Sequence, residues 1–206
     1  MSRLGVALAL LLGLSACAGE RVWAPDETVA AARYVHPGPP ELVLVTSLTD
    51  RSGEGAHTAL LINASERVLF DPAGSWDLPQ APERNDVRFG MTPLMERSYL
   101  AFQSAPNYHA VVQRLQVPAE VAEMAFRLAL EAGPVAPAMC TQATSALLAK
   151  LPGFEVLPQS MMPGTLAAAF ARLPGVRTEV LYGEPSELTD QARRRLHQVV
   201  NGGNGA

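Results

Sequence analysis

The sequence predicts an α+β domain in which an antiparallel sheet packs against helices, and three observations carry that prediction. The run ELVLVTS at Glu41 to Ser47 is apolar and β-branched, and it is closed off by Pro40 and by the polar, glycine-bearing TDRSGEG. HTALLI at His57 to Ile62, the turn NASE and RVLF at Arg67 to Phe70 together have the form of a hairpin. Two later stretches, PAEVAEMAFRLALEAG and CTQATSALLAKL, repeat apolar residues at the spacing of a helix face.

The 206-residue chain opens MSRLGVALALLLGLSACAGE, with one early arginine, an apolar stretch from Leu4 to Ala16, and then Cys17. That stretch falls short of the roughly 18–20 residues a membrane-spanning helix needs, so residues 1–16 read as a secretory signal peptide. LSAC has the pattern of a bacterial lipobox, in which the cysteine is lipidated and becomes the first mature residue. Lipidated Cys17 would hold the protein on a membrane surface in the cell envelope, facing the periplasm, with a slight lean to the outer membrane because Ala18 is not acidic.

Residues 17–40 carry Pro25, Pro37, Pro39 and Pro40 with little periodicity and read as a tether. The globular domain is expected over 41–200. Within it, Glu41–Ser47 is the first strand, and the hairpin places His57 at its entrance and Asp71 at its exit. The segment Asp71 to about Met91 is rich in turn formers and predicts a long surface loop. His109 to Val117 alternates as a strand. Pro118 sets the first turn of a helix that Gly133 ends. A proline-rich loop then leads to a second helix starting at Cys140 and stopped by Pro152-Gly153. TLAAAFARL is a shorter helix, RTEVLY a strand and ELTDQARRRLHQVV a terminal helix; residues 201–206 are a glycine-rich tail.

The formal net charge is −4, and more negative by the loss of Arg3 once the signal is cut. With no basic run there is no electrostatic footprint for nucleic acid. There are two cysteines. If Cys17 is lipidated, Cys140 has no intramolecular partner in a compartment that oxidises thiols. It is then a reactive thiol, an intermolecular link or a small buried hydrophobe.

A thiol in the first turn of a helix faces the positive end of the backbone dipole, which favours the thiolate. Cysteine catalysis also needs a base, usually histidine, oriented by a third polar group. Of the four histidines, His36 falls in the tether, His197 on the terminal helix, and His109 at a strand start beside an Asn-Tyr turn. His57, at the mouth of the apolar hairpin, is the candidate base, its competing role being a strand-end histidine satisfied by the backbone. In an antiparallel hairpin the start of one strand lies beside the end of the next, so Asp71 is the candidate third residue. The competing role for Asp71 is a turn residue before Pro72.

The order GAHTALLI, RVLFDPAG, a strand, a helix and then a cysteine-headed helix resembles the circularly permuted branch of the NlpC-type papain-like cysteine enzymes. That branch includes YiiX-like amidases and the lecithin:retinol acyltransferase group. The resemblance spans about Glu41 to Tyr182 and implies a papain-like fold, with Cys140 as nucleophile, His57 as general base and Asp71 as the orienting residue; because the third position varies in the family among His, Asn, Gln and acidic residues, Asn63 and Asp77 are its substitutes. Many relatives carry an asparagine or aromatic residue before the cysteine and a serine after it, where this chain reads APAMCTQ. The Cys140 backbone amide is the one nameable oxyanion donor.

The expected activity is therefore a membrane-anchored hydrolase or acyltransferase. It would cleave an amide or ester in cell-wall peptide, lipid or lipoprotein through an acyl-enzyme on Cys140. The alternative is a binding or scaffolding lipoprotein that keeps the fold with a silent site. No cofactor is implied, a monomer is expected, and metal binding is disfavoured because His57, Cys140 and the carboxylates lack the spacing of a zinc site.

Overall fold

A computed structural model of the chain describes residue 19 and residues 21–183. The signal segment, Cys17, the terminal helix with His197, and the tail lie outside the described residues. The elements are α1 (Asp26–Ala32), β1 (Glu41–Thr49), β2 (Gly55–Asn63), β3 (Arg67–Phe70), β4 (Glu83–Arg84), β5 (Val87–Arg88), α2 (Pro93–Gln103), β6 (Tyr108–Gln116), α3 (Ala119–Glu131), α4 (Cys140–Leu148), α5 (Pro163–Phe170) and β7 (Arg177–Tyr182). The strands form one seven-stranded antiparallel sheet in the order β4-β5-β3-β2-β1-β6-β7.

Both faces of the sheet are covered, and this explains why β1 and β2 read as continuous apolar runs instead of alternating. On one face Leu42, Leu44, Leu60, Ile62, Val68 and Phe70 pack under α3, α4 and α5, which contribute Val121, Ala125, Leu147, Leu148, Leu166 and Phe170. On the other, Val43, Val45, Ala59, Leu61 and Leu69 meet Trp76, Leu78, Met91 and the α2 residues Met95, Tyr99 and Leu100. At about 25 cal/mol per Å² of apolar surface removed from water, these two layers supply the main driving force of the fold.

The α+β class and the antiparallel sheet match the expectation. The hairpin pairs β2 with β3 from Asn63–Arg67 to Leu60–Phe70. Gly133, at φ 69°, closes the turn after α3. Helix α5 begins earlier than TLAAAFARL because Pro163 occupies its first turn.

Three parts of the chain differ from the reading. Asp71 to Met91 is not a surface loop: Trp76, Leu78, Ala81 and Met91 are each 1% exposed or less. Its prolines and glycines set turns, while its apolar side chains form the second core layer. The stretch after Met91, to which the sequence reading assigns no element, forms α2. There Thr92 Oγ1 accepts from the Met95 amide and Pro93 lies in the first turn. Within the segment read as a tether, residues 22–24 run along β4: Asn85 N–H donates to Val22 O (3.0 Å), Ala24 N–H to Glu83 O (2.9 Å), and α1 follows.

Candidate active site

β3 is short, and its pairing with β2 stops at Leu60. Beyond that point the chain turns away at Asp71, whose amide donates to Asp86 O at 2.8 Å. The first residues of β2, from Gly55 to Ala59, pair with β1 on one side only. His57 and Asp71 come from the sheet face that α2 covers, and Cys140 begins a helix on the opposite face. The three side chains meet around this unpaired margin.

The His57 ring joins them. Its Nε2 lies 2.6 Å from Asp71 Oδ1, and since a carboxylate can only accept, Nε2 carries the proton. The ring also hydrogen-bonds the Cys140 thiol; with Nε2 engaged, Nδ1 is the nitrogen left to face the sulfur. Tyr99 Oη, brought from α2, donates to the same Asp71 Oδ1 at 2.7 Å. Thr58 and Thr141, both fully buried, link β2 to the first turn of α4 through their hydroxyls at 3.0 Å. The backbone amide of Thr58, on the open side of β2, donates to the sulfur, and Thr141 Oγ1 lies 3.8 Å from it.

Burial opposes every charge here, but the partners outweigh it. For His57, burial works against the imidazolium, whereas the Asp71 carboxylate and the sulfur raise its pKa to about 10. For Cys140, burial favours the neutral thiol, but the His57 ring, the Thr58 amide and the Thr141 hydroxyl pull its pKa below the ordinary thiol value. Asp71 is held below the usual carboxylate range against burial by His57, Tyr99 and the charge of Arg88. Tyr99 is pushed well above its ordinary value by burial and by Asp71, so it remains a proton donor. Each partner thus favours the charged form of the other, and a buried carboxylate braces the pair.

A second carboxylate, unread in the sequence, ties the two halves of the site together. Asp86 accepts from the Ala73 amide through Oδ1 (3.0 Å) and from the Val135 amide through Oδ2 (2.7 Å). One side chain thus clamps the segment that follows Asp71 to the loop that leads into Cys140. Asp86 (φ 65°), Ala73 (φ 54°) and Ala138 (φ 66°) all occupy the left-handed region, which costs a non-glycine residue about 1–2 kcal/mol. Such strain concentrates at functional sites. Gly74 sits so close to Asp71 that a Cβ there would overlap the carboxylate.

The other candidates lie elsewhere. Asn63 is at the far end of β2, donating to Pro39 O at 2.7 Å, and Asp77 ion-pairs with Arg88 at 2.9 Å. His36 Nδ1 meets Tyr34 Oη at 3.2 Å, and His109 pairs with Asp50 at 2.9 Å. Among the described residues no group of three or more His, Cys, Asp or Glu side chains could hold a metal ion, and no helix is long and apolar enough to cross a membrane. Comparison with known proteins finds no matching family model, curated protein or solved structure.

Proposed function

We propose that the protein is a thiol-dependent hydrolase or acyltransferase of the cell envelope, related to the permuted NlpC-type papain-like enzymes and anchored through lipidated Cys17. The observation that carries this reading is the His57 ring, hydrogen-bonded at once to the buried Asp71 carboxylate and to a thiol at a helix start. A core cysteine requires neither partner.

In the proposed cycle the Cys140 thiolate attacks the carbonyl carbon of an amide or ester. The developing oxyanion lies at the start of α4, where the Cys140 amide has no partner within the helix. The His57 imidazolium then gives its proton to the departing nitrogen or oxygen as the carbon–heteroatom bond breaks, which leaves a thioester on Cys140. The now neutral ring removes a proton from water, or from an acceptor hydroxyl or amine, as that group attacks the thioester. Collapse releases the acyl product and restores the ion pair.

Incubation with a cell-envelope extract, followed by intact-mass and peptide analysis, tests this. The expected result is an acyl adduct on Cys140 and turnover of an envelope amide or ester, both lost in Cys140→Ala while its circular dichroism matches that of the native protein. Full turnover by a folded Cys140→Ala protein would overturn the proposal.

A further inference from the structure

Gly19 and residues 21–24 are part of the folded body. Gly19 lies against the loop before α4 so closely that a Cβ on it would overlap the Val135 carbonyl. Val22 and Ala24 hydrogen-bond along β4, at Asn85 and Glu83. Only Ala18 separates Gly19 from Cys17 in the sequence, so a lipid on Cys17 would be joined to Gly19 by at most about 7 Å of chain, whereas a free tether to Glu41 would extend about 80 Å.

From Gly19 the contacts run directly to the site. Val135 is held by Asp86, which also holds Ala73, two residues past Asp71. Val22, Gly74, Asp86, Val135 and Pro137 line a crevice of about 200 Å³ between this segment and the two catalytic loops.

The same segment presents an interfacial side chain. Trp23 is 54% exposed and its neighbour Val22 is 37% exposed. The guanidinium groups of Arg21 and Arg84 stand 5.5 and 4.8 Å from the Trp23 ring centroid, and Arg84 also pairs with Asp26. An exposed indole flanked by guanidinium groups suits the headgroup layer of a bilayer, where one side of the ring is apolar and the other wet.

We infer that the face formed by Gly19, residues 21–24 and Arg84 docks on the membrane itself, so that the His57–Cys140 site is held at the bilayer surface. The argument rests on the lipidation of Cys17 put forward above. The molecules such an enzyme reaches are membrane-resident ones whose amide or ester lies at the headgroup level. Peptide distant from the bilayer is beyond its reach.

Two measurements on the full acylated protein in phosphatidylethanolamine–phosphatidylglycerol vesicles test the inference. In the first, vesicles carry brominated acyl chains that quench tryptophan near the bilayer. Quenching is expected from the native protein and not from Trp23→Phe, since Trp76 is fully buried. This readout does not depend on Cys140 chemistry, and an unquenched native protein would overturn the inference.

In the second, iodoacetamide attached to the phosphatidylethanolamine headgroup is offered to Cys140. The native protein should be alkylated, and insertion of a 20-residue Gly/Ser spacer between Ala18 and Gly19, which adds about 25 Å of root-mean-square reach, should slow this at least tenfold. Soluble iodoacetamide should react equally with both proteins. Equal reaction of both proteins with the lipid-borne reagent, or none with the native protein while the soluble reagent reacts, would contradict docking. Failure of the soluble reagent with both would instead count against the catalytic reading, and the quenching result would then decide docking alone.

Discussion

Cys140, His57 and Asp71 form a charge relationship in which each residue's protonation depends on the others. The buried carboxylate on Nε2 favours the imidazolium, and the imidazolium beside the sulfur favours the thiolate. Replacing Asp71 by Asn keeps the shape and removes the charge. The His57 pKa should fall and the thiol pKa rise, cutting turnover by about 100-fold or more, with the acid limb of the pH–rate profile moved upward. An unchanged acid limb would show that the carboxylate does not set the ion pair. These positions were readable because strand pairing puts the start of β2 beside the end of β3, and because helix starts favour thiolates. Tyr99 was not readable: its contact with Asp71 spans 28 positions and depends on α2, whose polar residues Glu96, Arg97 and Ser98 dilute the apolar spacing. Nor was Asp86, which in sequence is one of several acids in a turn-rich stretch.

The elements divide the site between them, and the loops join it. α4 supplies the thiol, β2 the base, the end of β3 the carboxylate, and Asp86 holds the loops in register. Removing the Asp86 side chain leaves the half-buried Ala73 and Val135 amides without their acceptor. Asp86→Ala should therefore lose about 3 kcal/mol in urea unfolding, and Asp86→Asn, which retains one acceptor oxygen and tolerates the left-handed backbone, about half of that. Equal stability of all three proteins would remove Asp86 from the account. Most elements were legible because their period or their boundary residues were strong: β1 by its apolar run, α3 by its helical spacing, α5 by TLAAAFARL but not its start at Pro163. The Asp71–Met91 segment was misread for a physical reason, since turn formers dictate backbone reversals but do not say whether Trp76 and Leu78 point in or out. In the same way, the prolines of residues 22–40 concealed docking against β4.

Across the whole molecule the ion pair leaves a signature in stability against pH. His57 has a raised folded pKa, so its contribution is full below the unfolded value of 6.5 and is lost as pH rises through about 10. Cys140 has a lowered folded pKa, so its contribution is full above the unfolded value of about 8.5 and is lost as pH falls through the folded one. Between 6.5, or the folded Cys140 pKa where that lies higher, and about 8.5 the two slopes cancel, and the pair contributes a plateau. Cys140→Ala removes one slope, so its stability relative to the native protein should decline across that window by up to about 1.4 kcal/mol per pH unit; a constant difference would mean the pair is not ionised. The most direct measurement is the rate of Cys140 alkylation by soluble iodoacetamide against pH, made on a Cys17→Ser protein so that one thiol is present. The account predicts a rate already at its plateau at neutral pH and falling only in the acid range; a rate that climbs through a single titration near pH 8.5 would contradict it.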